Sequence, residues 1–340
     1  MAHARISANL PPNIDPTKAS IAFGKRALPK LSEELQSPEL LTQQRALMAL
    51  CDLVHDPQNV YQATEIGFLD NLKTLLLHPD STVRQKTTQI LYIMAKHNVG
   101  RQGLIQNGVI SALTELLDDP VDICRKNTHQ IFEMMAKLPE GSVGILRAGL
   151  IPLLVFKLKT ESEGIQELIL DTLSNCLRVE ASEALASGAI TILKEKLTQS
   201  SAAIRSKAAL VLLHIGTHPE GKSVVCEEVI PVLVSLLEDT DPEVQASATG
   251  ALMFATIEPQ GRFSALGAEA IPPLLKLVAE ETSKARLSAI KTLTMLAELP
   301  EGRKTLLDHT DIFQQCLNDP CEAVKKAAKI AIGVIKWKPF

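Results

Sequence analysis

The chain has 340 residues, of which 46% are apolar and only 3% aromatic, with a formal net charge of −4. That charge excludes a surface built for broad capture of nucleic acid, which needs a basic face, and no run approaches the roughly 18 continuous apolar residues of a membrane span. With aromatic side chains so scarce, a core must come from Leu, Ile, Val and Ala interdigitating between helices, so an all-helical fold is expected.

In chain order, residues 1–26 come first and carry Pro11, Pro12 and Pro16 among small and polar residues without a sustained helical period. They are predicted to form an extended N-terminal arm. The start, Met1-Ala2-His3-Ala4-Arg5, has no apolar signal core, so a cytoplasmic protein is expected.

From about residue 27 the chain repeats itself. Gly67-Phe68-Leu69, Gly108-Val109-Ile110, Gly149-Leu150-Ile151 and Gly188-Ala189-Ile190 each open an apolar stretch. The phase continues without glycine at Glu228-Val229-Ile230, Glu269-Ala270-Ile271 and Thr310-Asp311-Ile312. A recurrence near 40 residues marks stacked helical units that each bury their apolar face on a neighbour. Each unit reads as a short first helix, a second beginning at the marker, and a longer third after a polar turn such as Asp119-Pro120 or Asp319-Pro320. The first helix follows turns such as Pro139-Glu140-Gly141 and Pro300-Glu301-Gly302, where proline and an acid suit a helix N-terminus. The prediction is an all-α, right-handed superhelical solenoid of armadillo/HEAT-like three-helix repeats over residues 27–340. It has about eight units, the last, about 310–340, truncated and serving as a cap. The spacing shortens near Arg178-Val179-Glu180-Ala181-Ser182, where a shorter loop or a change of pitch is expected.

The cysteines, Cys51, Cys124, Cys176, Cys226, Cys316 and Cys321, lack C-x-x-C spacing and sit mostly in apolar pattern, so buried free thiols are expected. Gly216 to Ser223 spells G-x-x-x-x-G-K-S, a phosphate-binding pattern. That motif needs a buried strand before it, whereas a helix is predicted there, and the same slot holds Pro-Gln-Gly-Arg in another unit. His214 and His218 have no third ligand nearby, so no metal site is expected, and no cofactor. Residues far apart along a solenoid cannot assemble a catalytic group, so no catalytic residue is proposed and a non-enzyme is expected.

Arg84, Arg125, Arg205, Arg286 and Lys325 recur just after the first apolar position of the third helix, and a ladder of ion pairs between units is the plain account. In the last helix Lys325, Lys329 and Lys336 share one face, a candidate basic stripe that is either a solvated cap or a contact for an acidic protein. Third helices line the concave face of such arrays. The positions predicted to look into it are Ile93, Met134, Asn175, His214, Phe254 and Met295. Their largely apolar character suits an amphipathic helix or a neighbouring subunit. The alternative is a helix phase displaced by one residue, which would put them in the core.

Ser20-Ile21-Ala22-Phe23-Gly24-Lys25-Arg26-Ala27-Leu28-Pro29-Lys30-Leu31 and Leu50-Cys51-Asp52-Leu53-Val54-His55-Asp56-Pro57 resemble the radial spoke head 14 family of armadillo-repeat proteins, and the resemblance runs over essentially the whole chain. It implies a structural subunit of axonemal radial spokes in cilia and flagella, in the cytoplasm and cytoskeleton. Other radial spoke subunits, and microtubule doublet proteins, would be its partners, with no nucleic acid and no membrane. A soluble armadillo adaptor that carries cargo proteins is the competing reading.

Overall fold

A computed structural model describes residues 27–280 and 284–337; the predicted arm, 1–26, lies outside the described residues, and so does the side chain of Cys226. Among the described residues there are 23 α-helices and no strand, and no single helix is long and apolar enough to cross a membrane. They fall into two compact units that divide between Leu150 and Ile151.

The first unit begins with α1 (Ala27–Leu35) and α2 (Leu40–Leu53), which occupy the places of a second and a third helix. Two triplets follow: α3 (Pro57–Glu65), α4 (Phe68–Leu75) and α5 (Ser81–Lys96), then α6 (Asn98–Gln106), α7 (Val109–Leu113) and α8 (Asp122–Ala136). The unit closes with α9 (Pro139–Arg147). The long third helices pack side by side in the order α2, α5, α8.

The second unit opens with α10 (Ile151–Lys157) and α11 (Glu163–Cys176). The next triplets are α12 (Ser182–Ala186), α13 (Ala189–Lys196), α14 (Ala202–Gly216), and α15 (Pro219–Glu228), α16 (Ile230–Ser235), α17 (Pro242–Ala255). The last two are α18 (Pro259–Gly267), α19 (Ile271–Ala279), α20 (Arg286–Leu296), and α21 (Pro300–Leu307), α22 (Thr310–Gln315), α23 (Glu322–Ile335). Here the third helices run α11, α14, α17, α20, α23, each against the next. The shortened spacing near Ser182 is absorbed in α12, which has 5 residues. In a frame that starts at the first helix, the last triplet has all three helices, Pro300–Leu307 included.

Local chemistry explains the repeat. Gly67, Gly108, Gly149 and Gly188 have φ of 82°, 65°, 65° and 71°, the left-handed region in which a side chain meets the next carbonyl. They turn the chain from the first helix into the second. Glu269 fills that place at φ 58°, the one non-glycine residue with positive φ among those described. The glycine of each Pro-Glu-Gly has a different cause. A Cβ on Gly221 would sit 2.2 Å from the Ile215 carbonyl oxygen, and on Gly302 2.2 Å from that of Leu296. The first helix of one repeat therefore lies directly against the C-terminal carbonyls of the third helix before it.

Those carbonyls would otherwise be orphans. Arg101 donates to Ala95 and Lys96 oxygens at 2.9 and 3.1 Å, Arg262 to Thr256 and Ile257 at 3.0 and 2.8 Å, and Ser142 to Ala136 at 2.8 Å. Third helices are capped at the other end by Asp80, Ser201 and Asp241, whose side-chain oxygens accept from Val83, Ile204 and Glu243 amides. Cys51, Cys124, Cys176 and Cys316 are buried as expected, but Cys321 is exposed because it stands at the N-cap of α23, outside the helix's inner face.

Candidate functional site

Within each unit the third helices bury one flank against their neighbours and leave half-exposed side chains beside it. Met134 on α8, Asn175 on α11, His214 on α14, Phe254 on α17 and Met295 on α20 are half-buried, while Ile93 on α5 is buried with 4% exposure. Ile93 still lines a cleft of about 380 Å³ across α5, together with His55, Gln85, Lys86, Gln89, Tyr92, Lys96, Ile123 and Asn127. Most of this lining is polar, and Lys96 stacks over the Tyr92 ring at 4.5 Å. Asn175 does not offer its amide outward: Nδ2 donates to the Asp171 carbonyl at 3.0 Å.

In the second unit the line carries a built electrostatic contact. Lys207 on α14 donates to Asp171 at 2.7 Å and Glu167 at 3.3 Å, both on α11. Burial pulls the Lys207 ammonium down, but these two carboxylates outweigh it and raise its pKa. His214 has the opposite balance. Burial, reinforced by the Arg178 and His218 charges, lowers it to about 4, so the imidazole is neutral at pH 7. His218 is tied to the Leu177 carbonyl at 2.7 Å. Among the described residues no cluster of three or more ligand-type side chains could hold a metal ion.

α14 and α17 meet closely because Gly250 has no side chain: a Cβ there would lie 2.6 Å from Leu213 Cδ1. The recurrent basic residues clamp the same interfaces. Arg84 reaches Asp119 at 2.6 Å, Arg205 reaches Asp239 at 2.8 Å and Arg286 reaches Asp319 at 2.7 Å. Each of these aspartates also accepts an amide of its own turn, from Val121, Asp241 and Cys321. Arg125 instead bonds Asp122 and the Asp119 carbonyl.

The basic stripe sits on the face of α23 where a further repeat would stack. Lys329 takes the place held in earlier third helices of this unit by Leu170, Ala209, Thr249 and Ile290, all 0% exposed. Lys336 takes the place of Leu177, Thr256 and Ala297, also 0% exposed. Both lysines are exposed, and Lys325 is half-buried and paired with Glu322 at 3.6 Å. As for the phosphate-binding pattern, Gly216 ends α14 and Pro219 opens α15, so the loop lacks the strand that the motif needs, and Gly221 is explained by its approach to Ile215.

Comparison with known proteins agrees with this geometry. A HEAT-repeat family profile matches residues 190–294. An engineered protein of known structure superposes with a TM-score of 0.83 at 23% identity, covering 91% of this chain and 78% of its own. A designed armadillo repeat protein solved in complex with the peptide (KR)4 superposes with a TM-score of 0.62 at 24% identity, covering 67% of this chain and 99% of its own. The fold is that of armadillo and HEAT repeats.

The sequence pattern points to Ile93, which is buried, and to five half-buried residues, but not to Lys86, Lys96 or Tyr92 in the first unit, nor to the Lys207 contact in the second. One signal was present. Lys86 and Lys207 occupy the same place in their third helices, two residues after Arg84 and Arg205.

Proposed function

We propose that this chain is a non-catalytic scaffold that holds partner proteins against its third helices. The observation that carries this is Phe254 and Met295 in the second unit, and Met134 in the first, apolar side chains left half-exposed on third helices whose other faces are packed. Side chains of that kind gain free energy on burial by a partner, at about 25 cal/mol per Å². That a designed armadillo repeat protein of this fold is known in complex with a peptide supports a protein-binding role.

The finer reading is a structural subunit of axonemal radial spokes, in the cytoskeleton of cilia and flagella, with other spoke subunits and microtubule doublet proteins as partners. The family resemblance supports it. The test is to extract the endogenous protein from motile ciliated cells with graded salt and identify its crosslinked neighbours by mass spectrometry. Crosslinks from third helices to spoke subunits are expected. Recovery with soluble transport factors, and little protein on the axoneme, would replace this reading with that of a cargo adaptor.

A further inference from the structure

Lys86 and Lys207 are the same residue at the same place in the repeat, but their surroundings differ. The Lys207 ammonium is neutralised by Asp171 and Glu167 of the preceding third helix. In the register that aligns Lys86 with Lys207, the preceding helix of the first unit offers Met48 and Gln44 instead. Gln44 donates to Asp80 at 3.2 Å and supplies no charge. Lys86 is left with a hydrogen bond to Gln89 Oε1 at 3.0 Å and no ion pair with a described residue. Lys96, on the same helix, has the Tyr92 ring as its neighbour and likewise no ion pair. Both ammonium groups line one cleft, none of whose lining residues is acidic.

From this we propose that the α5 cleft of the first unit binds an acidic, extended protein segment, whose carboxylates do for Lys86 and Lys96 what Asp171 and Glu167 do for Lys207. This rests on the protein-binding reading of the third helices and names the chemistry of one partner segment. The cleft is lined by His55 in the turn after α2, by α5 and by α8, so an occupant crosses α5. Lys86 and Lys96 are ten residues apart on α5, about 15 Å along its axis at 1.5 Å per residue. Side chains of an extended segment point alternately to its two sides, so neighbouring acidic residues can meet the two lysines from one crossing strand. The amides of Gln85 and Gln89 can bond the backbone of that strand, whereas Asn127 is buried with its Nδ2 held by Thr88. The preference is opposite in sign to the (KR)4 peptide seen with the designed armadillo protein.

The test uses the full chain and fluorescence anisotropy with labelled octapeptides (Glu-Asp)4 and (Lys-Arg)4 and a uridine octanucleotide. The acidic peptide is expected to bind at least tenfold tighter than either of the others. That binding should weaken at least tenfold in Lys86→Glu/Lys96→Glu, with thermal unfolding unchanged, and stay within twofold in Lys329→Glu/Lys336→Glu. Equal or tighter binding of the basic peptide or of the oligonucleotide, or acidic binding lost only in the α23 variant, would overturn the proposal. No binding of any probe would overturn it too, while crosslinks from Phe254 and Met295 to spoke subunits would leave the scaffold reading standing.

Discussion

Arg205 grips both carboxylate oxygens of Asp239, its Nε 2.8 Å from Oδ2 and an Nη nitrogen 2.9 Å from Oδ1, across the 34 residues between adjacent repeats. The side chains are only 15% and 8% exposed, so neither has water as a ready substitute. Arg205→Met is expected to cost about 2–3 kcal/mol in urea denaturation, because it leaves a carboxylate buried without its partner. The hydrogen bond from Arg205, which outweighs the opposing effect of burial, holds Asp239 below its ordinary value of 3.8. Its contribution is therefore present above that value and lost as pH falls through the lower folded value. The wild type and Arg205→Met should converge in stability only in that acid range.

Glu269 holds a backbone conformation that glycine holds in four other repeats. Glu269→Gly is expected to stabilise the protein by about 0.5–1 kcal/mol, the strain of a left-handed non-glycine residue less the added freedom of the unfolded chain. Gly188→Glu should do the reverse by a similar amount. Thermal unfolding of the two variants checks both signs.

The Gly216 to Ser223 loop gives a contrast between packing and chemistry. Gly221→Ala is expected to destabilise by about 1–3 kcal/mol, since its methyl would meet the Ile215 carbonyl at 2.2 Å. Calorimetry with Mg-ATP should show no heat of binding. Heat that Lys222→Ala abolishes would restore the nucleotide reading.

His214 is lowered to about 4, first by burial and then by the Arg178 and His218 charges. Below the ordinary histidine value of 6.5 the unfolded chain takes up a proton that the folded chain refuses. Stability is thus expected to fall between pH 7 and pH 4, and part of that fall should vanish in His214→Gln. Identical pH profiles for the two proteins would contradict the assigned environment.

The repeat was legible because its physical causes are local. A left-handed turn demands glycine at Gly67, Gly108, Gly149 and Gly188, and a crowded carbonyl demands it at Gly221 and Gly302, so period and register stand in the chain itself. Pairings between repeats were not legible to the same degree. The acid six residues before Arg125 is Asp119, yet the Asp119 carboxylate takes Arg84 of the preceding repeat. The choice depends on how far one repeat is displaced against the next, which no local pattern encodes. For the same reason Lys86 and Lys207 look alike in sequence, and only the helix packed beside each reveals that one is neutralised within the chain. Breaks of the second helices into tighter turns, as at Thr114–Asp118 and Leu236–Glu238, also left no mark in the apolar pattern.

The central claim is that partners are held on the third-helix face. It is tested most directly by placing a photo-crosslinking residue at Phe254, at Met295 and, as a control, at Phe263, which is 56% exposed on the first helix α18. After irradiation in extracts of ciliated cells, positions 254 and 295 should each give a crosslink to a partner protein, and position 263 none. Crosslinks at 263 alone, or none from 254 and 295, would contradict the account.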